Sequence, residues 1–465
     1  MLTRATAVIA AGVVACLAAM VHAPGAEPSV RSAATMTQSE PCLAPHSNNP
    51  IVGSISGNKI LDKSTPPKVM APYGLTVFGM ATQDWQDYAA GLQPNGRSID
   101  VNEIDAAIGQ WCTNYVRLQI APANLVPNCN SDVLGSCNQG ASCQQDPNCT
   151  GYVNQAFLTE IKHEVAAAIS YHQNVILSAQ TEKFSANGQG WESNPNEQTD
   201  YFWQVLAPVY NHNPRIWFDL FNEPHLCANG DCSQTNAQKW DTWLNGGTEN
   251  GHTYVGMQQL LNDVRTATGN KTNLILLEGI NWGSTLNGLP SISGSKKAYA
   301  VHTYTQTNTS EWNTDWGNEA ANVPVIVDEW SEWATTKPGR CHDGSTNYPP
   351  APSYVQTFFN YLLDSPSTPN PSGHAIGLGA WGLIPGVDIT ENTNFTPSII
   401  SGGSGGIPKY NCAITTGPGS EEQEIQDNKD TNGTAHPDLS SDPVFQGVGQ
   451  ELETYFQQNS GIEGT

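Results

Sequence analysis

Charged residues are scarce in this chain of 465 residues, and those present carry mostly one sign. Only 13% of the residues are Asp, Glu, Lys or Arg, and 19 basic against 43 acidic residues give a formal net charge of −24. A nucleic acid or an anionic membrane surface repels such a chain, so we expect neither as a partner. The balance fits a soluble protein, which we expect to be a monomer, acting on a neutral substrate.

Long apolar runs are also missing, because no stretch beyond residue 26 approaches the ~18–20 apolar residues of a membrane-spanning helix. Near the start, Arg4 is followed by the apolar run 5–20 and then by small residues. This pattern predicts a secretory signal peptide over 1–26, and therefore a secreted, extracellular protein. As an alternative, residues 13–16 resemble a bacterial lipoprotein cleavage box, which would anchor the chain by a lipid at Cys16.

The cysteines form no Cys-x-x-Cys pair of the kind that most structural zinc sites use. Ten of the eleven cysteines lie outside the predicted signal peptide, and an even number in an oxidising compartment predicts disulfides. Four of them crowd one loop, at Cys129, Cys137, Cys143 and Cys149. A zinc site is the alternative for this loop, but the spacings favour disulfides. The sequence leaves the pairing open.

Short apolar runs alternate with longer amphipathic ones from residue 58 onward, which is typical of repeated strand–helix units. One amphipathic run places Phe157, Ile161 and Val165 on one helical face. A small hairpin pairing 59–61 with 68–70 is expected before the first unit. The eight predicted strands cover 75–79, 115–120, 174–179, 216–221, 274–278, 298–304, 325–329 and 376–381.

Eight strand–helix units predict an α/β fold, a (β/α)8 TIM barrel, with long disulfide-rich loops after strands 2 and 8. An open doubly wound sheet is the alternative, although the first strand–helix turn lacks the Gly-x-Gly-x-x-Gly of dinucleotide sites. The expected organisation is a lead-in over 27–57, one catalytic domain over 58–458 with insertions at 121–150 and 382–441, and a tail over 459–465.

Glutamates end two of the predicted strands. Glu223 follows the fourth strand in Asn222-Glu223-Pro224, and Glu329 ends the seventh. Barrel enzymes carry catalysis at this end of the strands, and glycoside hydrolysis needs one carboxylic acid and one carboxylate. Asp328 precedes Glu329, and we expect it to face away from the site because strand neighbours alternate. Asp219 and Glu278 are interpreted as buried structural carboxylates.

The ordered set of markers resembles glycoside hydrolase family 5, the cellulase family, over about residues 58–458. The markers are Arg117, Asn222-Glu223-Pro224, His302, Tyr304, Glu329 and Trp381. The resemblance implies an enzyme that retains anomeric configuration, with Glu223 as acid/base and Glu329 as nucleophile. It implies a β-linked oligo- or polysaccharide substrate and an endo-β-1,4-glucanase activity. A β-mannanase or another β-glycan hydrolase is the alternative, and a non-hydrolytic glycan-binding protein is the alternative of another class.

The remaining markers suit substrate binding. Asn222 can hydrogen-bond a sugar 2-hydroxyl, His302 the sugar or the acid/base, and Gln180 a hydroxyl. Arg117 and Tyr304 are expected to orient Glu329, while Trp282 and Trp381 offer flat faces to sugar rings. No cofactor and no metal is implied. Gln180 where the family usually has Asp and His, and Asp328 where it usually has Gly, suggest an outlying member.

Overall fold

Eight parallel strands close into a barrel, as the sequence predicts. The computed structural model describes residues 51–77, 79–81, 112–129, 132–137, 140–180, 192–226, 234–249, 251–269, 273–330 and 354–381, with single residues at 85–108 and 452–459. The strands are β1 Val52–Ser56, β2 Lys59–Asp62, β3 Tyr73–Val77, β4 Tyr115–Ile120, β5 Asn174–Ala179, β6 Ile216–Asp219, β7 Gly246–Glu249, β8 His252–Val255, β9 Ile275–Glu278, β10 Lys297–His302, β11 Val325–Glu329 and β12 Gly377–Ala380. The barrel order is β3-β4-β5-β6-β9-β10-β11-β12, and β12 pairs back to β3.

Helices follow the barrel strands and bury one face against them. In the longest described helix, the Asn154 side chain accepts the Phe157 N–H as an N-cap, and Phe157, Ile161 and Val165 are buried. No helix in the described residues is long and apolar enough to cross a membrane. The helices are Pro122–Leu125, Gln155–Ser170, Glu197–Leu206, Asn236–Asn245, Met257–Thr268, Thr309–Trp312, Asn318–Ala320 and Val355–Leu362, with 3₁₀ turns at Gly79–Ala81, Cys143–Gln145 and Ala207–Tyr210 and a π turn at Asn313–Gly317.

A hairpin of β1 and β2 lies against the amino-terminal end of the barrel. Its loop is Gly57-Asn58, and Gly57 has a φ of +58°, which suits a two-residue hairpin loop. Val52 and Ile60 pack with barrel residues such as Trp217. The expected pairing of 59–61 with 68–70 is present as an antiparallel bridge between Leu61 and Val69, flanked by two backbone hydrogen bonds, and 59–62 pairs with 52–56 along its other edge. Strand β1 thus lies inside the segment 27–57 that the sequence assigns to a lead-in.

Disulfides hold the insertion after the second barrel strand. Cys129 pairs with Cys137 and Cys143 with Cys149, and Cys112 is also disulfide-bonded. The loop is therefore cross-linked rather than built around zinc. The predicted signal peptide, the predicted insertion over 382–441 and the remaining cysteines lie outside the described residues.

Two carboxyl groups meet between neighbouring barrel helices, and they make stability depend on pH. Asp200 on Glu197–Leu206 and Asp263 on Met257–Thr268 share a hydrogen bond. Burial, followed by the charge of Asp263, raises the pKa of Asp200 from 3.8 to about 7. The folded protein therefore binds this proton more tightly than the unfolded chain, so the contribution to stability is present below about pH 4 and is lost as the pH rises through about 7.

The variant Asp200→Asn is expected to remove much of this pH dependence, because its amide keeps a hydrogen bond to Asp263 without a second charge. At pH 8 we expect the variant to be more stable than the parent by about 2 kcal/mol. Thermal unfolding between pH 4 and 8 measures the difference. Asp241→Asn, at an exposed helical position, is the matched control. Parallel curves for the parent and Asp200→Asn would contradict the prediction.

Candidate active site

A layer of polar side chains lies inside the barrel, above an apolar floor. Because alternate residues of a strand face the same side, the residue two positions beyond an inward apolar residue also faces inward. The floor includes Tyr115, Ile176, Trp217, Leu276, Ala300 and Ile326. Two positions further along the same strands lie Arg117, Ser178, Asp219, Glu278, His302 and Asp328, all at most 1% exposed. The polar layer therefore faces the carboxyl ends of the strands.

Glu223 lies on the turn that follows β6, with its side chain 15% exposed. Its backbone N–H donates to Glu278 Oε2 at 2.6 Å, and its Oε1 lies 2.9 Å from His302 Nδ1. The backbone φ of Glu223 is +55°, a left-handed conformation that non-glycine residues seldom adopt. The turn thus aims the carboxyl group into the mouth of the barrel.

Glu329 ends β11 and is held from three sides. Arg117 Nη1 donates to Oε2 at 2.7 Å, Gln119 Nε2 donates to the same oxygen at 3.2 Å, and the Tyr304 hydroxyl donates to Oε1 at 3.0 Å. The side chain is 6% exposed. These bonds fix the carboxylate and leave it facing the region of Glu223.

Asp328 faces the barrel interior, so the expectation that it points away is wrong. Val301 pairs with Val327, whereas His302 pairs with Glu329, which leaves Asp328 as an extra residue in the ladder. Such a bulge interrupts the alternation of faces, so Asp328 and Glu329 both turn inward. The carboxylate of Asp328 lies 3.5 Å from Arg117 Nε.

Arg117 is fully buried at the centre of this network. Its Nη2 donates to Asp219 and Glu278, each at 2.8 Å, and to Asn222 Oδ1 at 2.7 Å. With Nη1 on Glu329, the planar guanidinium ties together side chains from three other barrel strands and the turn after β6. One cation thus sets the relative positions of groups that are far apart in the sequence.

Two cationic groups, Arg117 and His302, face five carboxyl groups in this network. Burial raises the pKa of Glu329 to about 7, opposed by the positive charges of His302 and Arg117. Burial also raises the pKa of Glu278, and the charge of Asp219 raises it further. Burial alone would lower the pKa of His302, but Glu278 and Glu329 raise it well above its usual range. The network therefore retains protons at neutral pH.

The two glutamates are close enough to act on one bond. An oxygen of Glu223 and an oxygen of Glu329 lie within 4.8 Å of each other, and both carboxyl groups lie near His302 Nδ1, at 2.9 and 3.5 Å. Two carboxyl groups this close do not readily ionise together, so one proton shared by the pair is favoured. A carboxylic acid beside a carboxylate can protonate a leaving group and attack a carbon.

The other predicted binding residues lie around this pair at different depths. Asn222 is buried, and its Oδ1 accepts from Arg117 and Gln119, which leaves its amide NH2 as the donor group. Gln180 is buried at the end of β5. Trp282 is 41% exposed and stacks on His225 with ring centroids 3.5 Å apart. Trp381 follows β12 and is partly buried.

Sequence reasoning missed Gln119 and His225. Gln119 follows Arg117 by two residues on β4, so strand alternation places both side chains on one face, and this signal was present in the sequence. His225 Nδ1 lies 2.6 Å from the carbonyl oxygen of Glu223, and its ring supports Trp282. No local sequence pattern signals that contact, because it joins the turns after β6 and β9.

Two groups of side chains in the described residues have the atom types of metal ligands. One is Glu223, His302 and Glu329; the other is Glu278, His302 and Asp328. Arg117 already contacts carboxylates of both groups, and a divalent cation among them would lie beside a buried guanidinium. These carboxyl groups and His302 therefore suit a guanidinium and protons as their partners and do not fit a divalent metal.

Comparison with known proteins agrees with this geometry. The family model of "Cellulase (glycosyl hydrolase family 5)" matches residues 71–357, which is more than half of the chain. A curated relative, the "Manganese dependent endoglucanase Eg5A" of Phanerodontia chrysosporium, is 26% identical over 198 residues, which are 39% of this chain and 44% of the relative. The match thus spans less than half the length of that relative.

Solved structures with a similar chain path include two glucanases. A β-glucanase of Saccharophagus degradans, SdGluc5_26A, is 19% identical, with 75% of this chain and 90% of that chain covered and a TM-score of 0.49. Endoglucanase Cel5A of Thermobifida fusca is 11% identical, with 89% and 99% covered and a TM-score of 0.48. On the strength of the family match, this chain belongs to the cellulase family, glycosyl hydrolase family 5, and is a glycoside hydrolase.

Proposed function

We propose that the protein is an endo-β-1,4-glucanase that retains anomeric configuration, with Glu223 as acid/base and Glu329 as nucleophile. The observation that carries the proposal is the facing pair of carboxyl groups, with oxygens within 4.8 Å. A retaining enzyme needs its carboxyl groups about 5–5.5 Å apart, whereas inversion needs about 6.5–9.5 Å to admit a water molecule. The observed spacing supports retention.

In the first step, the Glu223 carboxylic acid donates its proton to the glycosidic oxygen while a Glu329 oxygen attacks the anomeric carbon. The leaving group departs as an alcohol, and the sugar is esterified to Glu329. In the second step, the Glu223 carboxylate takes a proton from water, which displaces Glu329 from the same carbon. Two inversions give net retention.

The contacts of Glu329 support its role as nucleophile. Three donors hold it, two of them on Oε2, so one geometry is maintained during attack. The Glu223 side chain is more exposed than that of Glu329, 15% against 6%, which suits a group that exchanges a proton with the leaving group and then with water. The Asn222 amide NH2 donates to no acceptor among the described residues and can donate to the sugar 2-hydroxyl, an interaction that strengthens as positive charge develops on the sugar ring.

Release of reducing sugar from a panel of soluble β-glucans, mannans and xylans tests the proposal. We expect β-1,4-glucans to be cleaved at least about tenfold faster than the other polymers, with an early fall in viscosity that marks internal cuts. Glu329→Gln is the inactive control. Faster cleavage of mannan would assign the chain to the β-mannanases instead.

The same panel of substrates, assayed with and without EDTA, tests metal dependence. The name of the Phanerodontia relative includes manganese, but the donor set of this site predicts unchanged rates in EDTA. Loss of activity in EDTA that manganese restores would contradict this.

We also propose secretion, supported by the disulfides and the N-terminal pattern. Enzyme for the panel is therefore taken from the culture medium, and its N-terminal sequence is expected to begin after the predicted signal peptide.

A further inference from the structure

Three polar contacts hold Glu223 on its turn, two through its backbone and one through its side chain. Its N–H donates to Glu278 Oε2 at 2.6 Å, and its carbonyl oxygen lies 2.6 Å from His225 Nδ1. Its carboxyl group lies 2.9 Å from His302 Nδ1. The left-handed backbone of Glu223, with φ at +55°, is unfavourable for a residue with a Cβ and persists only where neighbours impose it.

Glu278 is the carboxyl group among these three tethers. Its second oxygen accepts from Arg117 Nη2 at 2.8 Å and lies 3.4 Å from His302 Nε2. One fully buried carboxylate thus contacts the backbone of Glu223 and the guanidinium that orients Glu329, and it faces the imidazole that meets the Glu223 side chain.

The loop after β9 encloses this carboxylate. Gly283 has a φ of +66°, and a Cβ there would lie 3.1 Å from Glu278 Oε2 and 3.1 Å from the His302 ring. The Gly283 carbonyl oxygen accepts the His302 N–H at 3.0 Å. Glu278 is therefore sealed from water, and a hydrogen bond to a buried carboxylate is stronger than one in solvent.

We propose that Glu278 is a positioning residue that holds the acid/base in its strained turn and aims its carboxyl group at the leaving group. The proposal rests on the proposed role of Glu223. Glu278 does not touch the substrate; it acts through the peptide N–H of Glu223. Its loss should therefore impair proton donation more than nucleophilic attack.

Leaving groups of different acidity separate these two effects. A β-glucan leaves as an alcohol that needs a proton, whereas 2,4-dinitrophenyl β-cellobioside releases a phenolate that needs none. For Glu278→Asp, whose side chain is one methylene too short to reach the Glu223 N–H, we expect kcat/KM on β-glucan to fall about 100-fold or more. On the dinitrophenyl substrate we expect a fall of less than about tenfold.

Glu278→Gln keeps the reach and an acceptor oxygen and serves if the shorter variant does not fold. Its neutral acceptor is weaker, so we expect the ratio of the two kcat/KM values to fall about tenfold. Asp219→Asn is the matched control: Asp219 is equally buried and also lies 2.8 Å from Arg117 Nη2, its hydrogen-bond partner among the described residues. Asp219→Asn should lower kcat/KM on both substrates by the same factor.

Glu223→Gln provides the reference pattern. If Glu223→Gln lowers kcat/KM equally on both substrates, the acid/base assignment fails. Suppose instead that Glu223→Gln keeps kcat/KM on the dinitrophenyl substrate, whereas Glu278→Asp and Glu278→Gln lower kcat/KM equally on both substrates. The acid/base assignment then survives, and the positioning proposal is overturned. The proposal is supported if kcat/KM falls more on β-glucan than on the dinitrophenyl substrate for Glu223→Gln and for both Glu278 variants, but not for Asp219→Asn.

Discussion

Glu329→Ala is expected to lose turnover on the order of 10⁵-fold on every glycoside, including activated ones, because no covalent intermediate can form. Removal of the side chain leaves a small cavity beside Arg117 and Tyr304, both of which donate to the missing carboxylate. Azide can enter this cavity and attack the anomeric carbon once. With an activated β-glycoside and azide, we expect the α-glycosyl azide, identified by NMR.

Glu223→Ala should behave in the opposite way. Without its acid, hydrolysis of β-glucan should fall about 10²–10⁴-fold, while an activated aryl glycoside should still give the glycosyl-enzyme in a burst. The intermediate then stalls, because no general base activates water. Azide needs no general base, so it should restore turnover and give the β-glycosyl azide.

The two stereochemical outcomes decide the assignment. Glu311→Ala, which removes an exposed carboxylate, should show neither effect. If the parent enzyme releases inverted sugar, or if the two variants exchange their azide products, the proposed roles of Glu223 and Glu329 are wrong.

Arg117→Lys is expected to lower kcat about 100–1,000-fold, because preorganised charge stabilisation in the site is lost. Lysine keeps the charge but loses the planar fork that contacts Glu329 and Glu278 with separate nitrogens. Because these carboxylates are buried, we also expect the free energy of unfolding to fall by about 3 kcal/mol. Steady-state kinetics and thermal unfolding measure the two effects.

Arg265→Lys separates catalysis from stability. Arg265 donates to the carbonyl oxygens of Asn273 and Ser295, each at 3.0 Å, and contacts no group of the active site among the described residues. This variant should lose stability while kcat stays near that of the parent. Near-normal turnover for Arg117→Lys would mean that Arg117 does not serve the nucleophile.

Much of the barrel could be predicted because its strands are buried on both faces and read as short apolar runs. Observed strands β4, β5 and β11 have the predicted bounds, and the others differ by a few residues at their ends. The positions of Glu223 and Glu329 follow from the same reasoning, since residues after parallel barrel strands meet at one mouth. Arg117 could be placed beside them by strand order.

The sequence by itself therefore determined the fold class and the residue types at the mouth, because both depend on local periodicity and strand order. Only the tertiary structure decided that Asp328 and Glu329 both turn inward, since a bulge depends on the register with β10. It also decided that Glu278 reaches the Glu223 backbone 55 residues away. Such contacts depend on how two loops pack, and side-chain alternation along a single strand cannot encode the distance between them.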